Sequence, residues 1–286
     1  MRSRIIIILI FITVCLSCTK NIDLDLPLKN PRLVVKGIIT NEFGSCQVVL
    51  SKTMKYNFTY EYTGINYERG AFVVISDDSN NSDTLVERLP GKYFSHADKY
   101  RGQVGRTYKI DIITKDGTHY QSVPEKMTSV PKIDSIYFTR DTKDRYKENP
   151  NSYKYKIYIT WQDPKDTVNY YMRGNSYYWN NTWKDSIAWI SVFNDYSFNG
   201  KYIRSLVESA YGQKYFYIKV NLYSLSKSNY DFWNLLFQQT YSSSDDDANA
   251  MVPLAGNIFN VNDPKDYAIG YFQVSATSSK QVYIDH

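Results

Sequence analysis

The most reactive side chains in this chain belong to three cysteines and three histidines. They are scattered along the sequence as Cys15, Cys18, Cys46, His96, His119 and His286. Metal sites and Cys/His catalytic pairs usually show a short characteristic spacing, which these intervals do not have. Ser95 directly precedes His96, but the members of a catalytic triad converge in space and are not sequence neighbours. We therefore expect a protein that is not an enzyme, with no catalytic residues, no metal site and no cofactor.

Cys18 stands at the end of an apolar stretch near the amino terminus. Arg2 and Arg4 precede residues 5–16, which are almost continuously apolar, and Ser17 is a small residue directly before the cysteine. This arrangement is typical of a secretory signal peptide. Twelve apolar residues are too few for a helix that crosses a bilayer, which needs about 20. We predict that residues 1–17 are a signal peptide and that Cys18 begins the mature chain.

The segment from Val14 to Cys18 resembles a lipobox, with Cys15 where leucine is usual. The resemblance implies that Cys18 is acylated, for example with palmitate, and that residues 18–31 form a lipidated tether. Several acyl chains anchor a protein stably, because each buried CH₂ contributes about 0.8 kcal/mol. Asp23 and Asp25 resemble the signal that sends lipoproteins of the Bacteroidetes to the cell surface. We thus predict a lipid-anchored outer-membrane protein, with the cell surface and the periplasmic face as alternative locations and an ordinary solvated linker as the alternative for the acidic residues.

An aromatic cluster is the main candidate for a binding site. Aromatic residues make up 16% of the chain, including 28 tyrosines, and five of them lie close together: Tyr177, Tyr178, Trp179, Trp183 and Trp189. Exposed at a loop tip, they would form a platform for sugars or other flat ligands. The alternative is that they are core residues, because large aromatic side chains are mostly buried.

Charge and cysteine content exclude some classes of function. The net charge of +5 includes Arg2 and Arg4, and the remaining positive residues form no basic block. We therefore expect no nucleic-acid partner, which would require a clustered basic face. After loss of the signal peptide and acylation of Cys18, only Cys46 is a free thiol, so an intramolecular disulfide is impossible. Cys46 lies in a strand-like run, which favours a small buried residue.

Residues 32–124 show short β-branched runs separated by turn residues, which indicates an antiparallel sandwich. Asp116-Gly117 predicts a hairpin turn. Phrases such as 35–37, 70–75, 91–93 and 105–112 resemble transthyretin-like or carboxypeptidase-regulatory-like modules. The resemblance implies a structural or binding domain of Ig-like or transthyretin-like fold.

Residues 133–286 follow a linker that contains two prolines, and predict a second sandwich. The clearest strand is 153–161, where aromatic and aliphatic residues alternate with lysines. One short helix is predicted near 228–239, with Ser228 as a possible cap and Trp233 and Phe237 on its apolar face. The predicted fold is thus mostly β, with two antiparallel β-sandwich domains and one inserted helix.

Several phrases along the chain together resemble a Bacteroidetes outer-membrane lipoprotein family known as domain-of-unknown-function family 4249. They are residues 31–37, 70–75, 133–137, 163–164, 170–171, 198–199, 225–226, 230–233, 256–258, 263–264 and 270–272. The resemblance implies an outer-membrane lipoprotein found near a TonB-dependent receptor, without a known reaction. The leading hypothesis is a non-catalytic binding or accessory subunit of a TonB-dependent transporter. The alternatives are a structural or adhesive surface protein and a hydrolase.

Overall fold

The computed structural model describes most of the chain beyond residue 30. The described residues are 31–43, 46–54, 64–96, 100–146, 149–165, 167–179, 182–212, 216–241, 254 and 256–284. They form seventeen strands and one helix, so the prediction of a mostly-β protein with one helix is confirmed. Arg32–His286 forms one compact unit. Cys18, the predicted signal peptide and nearly all of the tether lie outside the described residues.

The strands and the helix are, in chain order, β1 (Leu33–Thr40), β2 (Gln47–Lys52), β3 (Phe72–Asp77), β4 (Ser82–Leu89), β5 (Lys92–Phe94), β6 (Thr107–Ile113), β7 (His119–Ser122), β8 (Glu125–Lys126), β9 (Ser135–Tyr146), β10 (Asn149–Gln162), β11 (Tyr170–Trp179), β12 (Thr182–Asn194), β13 (Tyr202–Gly212), β14 (Phe216–Leu225), α1 (Lys227–Tyr241), β15 (Ile258–Asn260), β16 (Ile269–Ser275) and β17 (Thr277–Ile284).

Ten strands form the largest sheet, in the order β15-β7-β6-β3-β4-β5-β2-β1-β16, with β8 beside β6. Gly117, in the predicted hairpin turn, has a φ of 88° and joins β6 to β7. Neighbours in this sheet are antiparallel except for β1 and β16, which are parallel. This parallel pair differs from the antiparallel arrangement that the sequence predicted. It is possible because a long stretch of chain, residues 41–268, separates β1 from β16.

The two ends of this sheet meet, so the sheet is nearly closed. Asn257, directly before β15, donates from Nδ2 to the carbonyl oxygen of Phe272 in β16 at 3.0 Å. The Phe272 amide donates back to Asn257 Oδ1 at 2.8 Å. Two glycines allow this approach, because a Cβ on Gly256 would lie 1.4 Å from the carbonyl oxygen of Gly270.

One hydrophobic core lies inside the ten-stranded sheet. It contains alternate residues of β1, β2, β3 and β6, together with Cys46 and Met127. The strands β15 and β16, from the segment assigned on sequence to the second domain, also contribute to it through Ile258, Phe272 and Val274. They do so because β16 lies beside β1 and β15 lies beside β7.

A second core lies between a three-stranded sheet, ordered β13-β10-β9, and a four-stranded sheet, ordered β12-β11-β14-β17. The alternating strand predicted over 153–161 lies in β10, and its residues Tyr155, Ile157, Ile159 and Trp161 are buried. From the facing sheet, Ile218, Val220 and Leu222 of β14 pack against the same core. Sequence alternation therefore identified the buried face of this half correctly.

The helix α1 contains the predicted segment 228–239 but begins one residue earlier. Its cap is Ser226, whose Oγ accepts the Asn229 amide at 3.2 Å, and not Ser228 as expected. Ser228 points elsewhere, because its hydroxyl donates to Glu125. The helix packs against strands of two different sheets. The Phe232 ring lies 5.3 Å from that of Tyr271 in β16. The Tyr230 ring lies 5.1 Å from that of Tyr170 in β11.

Candidate ligand-binding surface

The hairpin of β11 and β12 carries the aromatic residues singled out from the sequence. Successive residues of a strand point to opposite faces, so Tyr177 and Tyr178 separate. Tyr177 is half-buried and faces the second core, whereas Tyr178 is 37% exposed on the outer face. The side chains of Trp179, Trp183 and Trp189 lie outside the part that the structure describes. The two members of the predicted cluster whose side chains are described thus lie on opposite faces of the sheet.

Tyr178 belongs to a row of tyrosines that crosses the four-stranded sheet. Tyr178 pairs with Tyr217 in β14, and Tyr217 pairs with Tyr283 in β17. Residues directly opposite each other on neighbouring strands share a face. The ring centroids are 6.2 Å apart for the first pair and 4.5 Å for the second. We call Tyr178, Tyr217 and Tyr283 the tyrosine row.

The tyrosine row is accessible to a ligand along its whole length. Tyr217 is 38% exposed and Tyr283 is 39% exposed, close to the value for Tyr178. On the other side of β11, Trp183 of β12 takes the register position opposite Tyr178. An exposed line of rings across adjacent strands is a surface on which flat ligands can stack.

Hydrogen-bonding residues lie next to the tyrosine row on the same face. Two positions further along the strands, Ser176 pairs with Lys219, and Lys219 pairs with Gln281. Gln281 is exposed and Lys219 is half-buried, whereas Ser176 is buried and its Oγ accepts from Asn221 Nδ2 at 3.4 Å. The rings can stack on a ligand, and the amide of Gln281 and the ammonium group of Lys219 can hydrogen-bond to its edge.

A buried polar network on the opposite face holds β11 against β13. The Tyr177 hydroxyl and Asn175 Nδ2, the latter at 3.2 Å, both donate to the buried Glu208. Arg173 donates to Ser205 Oγ at 3.0 Å and to the Leu206 carbonyl at 3.1 Å. Burial raises the pKa of Glu208 and of Tyr177 and lowers that of Arg173. These bonds fix the strand that presents Tyr178, so Tyr177 positions the surface without belonging to it.

Sequence reasoning missed Tyr217 and Tyr283. The alternating run 213–222 does place Tyr217 and Lys219 on one face of a strand. It does not reveal which strands lie beside it. The row exists only because three strands from distant parts of the chain are in register, and single-strand patterns do not carry that information.

The two described histidines do not form a catalytic set. His96 Nδ1 lies 2.8 Å from Asp83, and His119 Nε2 lies 3.1 Å from Asp111. The buried Ser95 hydroxyl has no hydrogen-bond partner among the described residues. Over the described part of the chain, no group of three or more His, Cys, Asp or Glu residues could hold a metal ion.

In the same described residues, no helix has the length and apolarity needed to cross a membrane.

No curated protein matches the chain. A family model does match, over residues 19–281. The chain therefore belongs to the family described as Domain of unknown function (DUF4249).

Proposed function

We propose that this protein is a non-catalytic binding lipoprotein of the outer membrane. In this proposal Cys18 carries the lipid, and the tyrosine row binds a ligand with flat faces, such as the sugar rings of a glycan. The observation that carries it is the line of three exposed tyrosines in register, beside hydrogen-bonding side chains. Sugar rings have apolar faces that stack on aromatic rings and hydroxyl edges that reach polar neighbours.

The predicted export signal supports the cellular part of the proposal. A chain with an apolar leader, a small residue and a cysteine is suited to acylation and outer-membrane anchoring. We further propose that the ligand is passed to a TonB-dependent transporter, for which this protein is an accessory subunit. The division into two sandwich domains, with a transthyretin-like first domain, remains part of this proposal.

Glycan binding tests the role of the tyrosine row. We expect Tyr217→Ala to weaken binding to a glycan selected from an array by roughly tenfold, which corresponds to about 1.4 kcal/mol. Tyr202→Ala is the matched control, because Tyr202 is 61% exposed but lies on β13, away from the row. Equal binding by the two variants would exclude the row as the ligand surface.

Co-purification tests the partner. The tagged, lipidated protein is isolated in mild detergent from its own outer membrane, and co-eluting proteins are identified by mass spectrometry. Stoichiometric recovery of a TonB-dependent receptor is the expected result. Recovery of the lipoprotein alone would instead favour a structural or adhesive role.

A further inference from the structure

A cavity of about 380 Å³ lies where three segments of the compact unit meet. The first is β8 with the residues that follow it, the second leads into β11, and the third joins β14 to α1. The volume falls within the range of about 300–1,000 Å³ typical of small-molecule sites. None of the tyrosine row residues lines this cavity, so a ligand bound in it is independent of the proposed glycan surface.

Glu125 is the polar group that defines the cavity. The residue is buried, with only 7% of its surface exposed. Its Oε1 accepts from the Tyr271 hydroxyl at 2.5 Å, from Ser228 Oγ at 3.1 Å and from Asn257 Nδ2 at 3.4 Å. Three donors on one oxygen fix the carboxylate rigidly.

The second oxygen of Glu125 is left without a donor from the described residues. No residue in the described ranges hydrogen-bonds to Oε2, and none forms an ion pair with this carboxylate. A buried carboxylate is costly unless its charge is compensated. The amino terminus of α1 compensates part of this charge, since Ser228 lies in its first turn. The free oxygen remains available to a ligand at the cavity.

Charges of both signs lie at the cavity: Glu125, Lys126 and Lys227 line it, and Asp195 and Asp231 contact its lining residues. Asn169, which lines it, donates from its backbone amide to Asp195 Oδ2 at 2.9 Å, and the buried Asp195 Oδ1 has no partner in the described part of the chain. Lys227 is paired with Asp231 at 2.5 Å, which leaves Lys126 as the unpaired cation among the described lining residues.

Tyr170 supplies an aromatic wall to the same cavity. Its hydrogen bond with Tyr196, its burial and the negative charges of Asp231 and Asp195 raise the pKa of Tyr170 to about 12. The ring therefore stays neutral, with the carboxylates of Asp231 and Asp195 near it. A neutral aromatic ring beside carboxylates attracts a cation through its π face.

We propose that this cavity binds a small molecule with a primary ammonium group. The ammonium group donates to Glu125 Oε2, and the carbon skeleton packs against Tyr170 and Leu225. An ammonium ion supplies a hydrogen-bond donor to Glu125 Oε2 and a positive charge that compensates the carboxylate. A hydroxyl group supplies only the donor. Charge-assisted hydrogen bonds are roughly twice as strong as neutral ones.

Paired probes separate these two chemistries. Isothermal titration calorimetry on the full-length lipidated protein in mild detergent compares ethanolamine with ethylene glycol, glucosamine with glucose, and phenethylamine with phenethyl alcohol. At least one amine is expected to bind tenfold or more tightly than its neutral partner. If all three amines bind no better than their partners, the proposal is wrong.

Two variants locate the binding. Glu125→Gln should weaken amine binding at least tenfold. This substitution also alters the contacts with Tyr271 and Ser228. Val168→Trp therefore provides a second test, because Val168 is 50% exposed and lines the cavity without touching that network. Val261→Trp is its control, since Val261 is 43% exposed and does not line the cavity. Binding that survives Val168→Trp unchanged would overturn the assignment.

Discussion

The approach of β16 to β1 predicts an unusually large effect for a single methyl group. Gly270 has a φ of 111°, and a Cβ placed on it would lie 1.9 Å from the carbonyl oxygen of Val35. An ordinary contact between carbon and oxygen is about 3.3 Å. Gly270→Ala must therefore push the two strands apart by more than an ångström, near one end of their parallel ladder.

We expect Gly270→Ala to lower the free energy of unfolding by about 4 kcal/mol. The positive φ contributes roughly 1–2 kcal/mol for a residue with a Cβ. Loss of two or three ladder hydrogen bonds contributes roughly 1 kcal/mol each. Gly117→Ala is the matched control: its φ of 88° is also positive, but its Cβ would meet no described atom within 4 Å. The control should lose only about 1–2 kcal/mol, the part that comes from the backbone conformation.

Urea unfolding followed by far-UV circular dichroism measures both variants. Tryptophan fluorescence is less suitable, because all five tryptophans lie at or beyond residue 161 and the first core, as described, contains none of them. A loss of stability that is the same for Gly270→Ala and Gly117→Ala would refute the close approach of β16 to β1. It would mean that only the backbone conformation matters at residue 270.

Three further predictions concern single side chains. Because burial raises the pKa of Glu208, its contribution to stability is complete below the unfolded pKa, about 4.3, and is lost as the pH rises through the folded pKa. Glu208→Gln should thus gain stability relative to the parent protein as the pH is raised above about 4.3. A difference in urea midpoint that does not change with pH would contradict this. Burial also raises the pKa of the Cys46 thiol, so iodoacetamide should label Cys46 only in urea, as measured by mass spectrometry, and rapid labelling of the folded protein would show that this residue is accessible. Cys18→Ala should release the protein from membranes into the soluble fraction, and a variant that still sediments with membranes would rule out lipid anchoring through that residue.

Local patterns predicted the local structure. The alternation over 153–161 identified the buried face of β10, and Asp116-Gly117 identified the hairpin between β6 and β7. Cys46, which its strand-like surroundings predict to be buried, is fully buried. These features depend on side-chain periodicity and on turn geometry, which neighbouring residues determine on their own.

Features that depend on strand neighbours could not be predicted in the same way. The parallel pairing of β1 with β16 joins residues more than two hundred positions apart, such as Val34 and Ile269. The tyrosine row and the cavity at Glu125 likewise combine side chains from segments that no local pattern connects. Of the two aromatic residues that the sequence singled out and whose side chains are described, Tyr178 belongs to the proposed surface and Tyr177 does not.

The pairing of β1 with β16 also sets the time at which the protein can fold. The first core is incomplete until the chain has been made as far as Ser275, because β16 completes it. At roughly 5–20 residues per second, synthesis of the intervening chain takes on the order of 10–50 s. Long-range pairings of this kind also slow folding. For a chain that we propose is exported, such a delay keeps β1 unpaired with β16 until synthesis has passed residue 275.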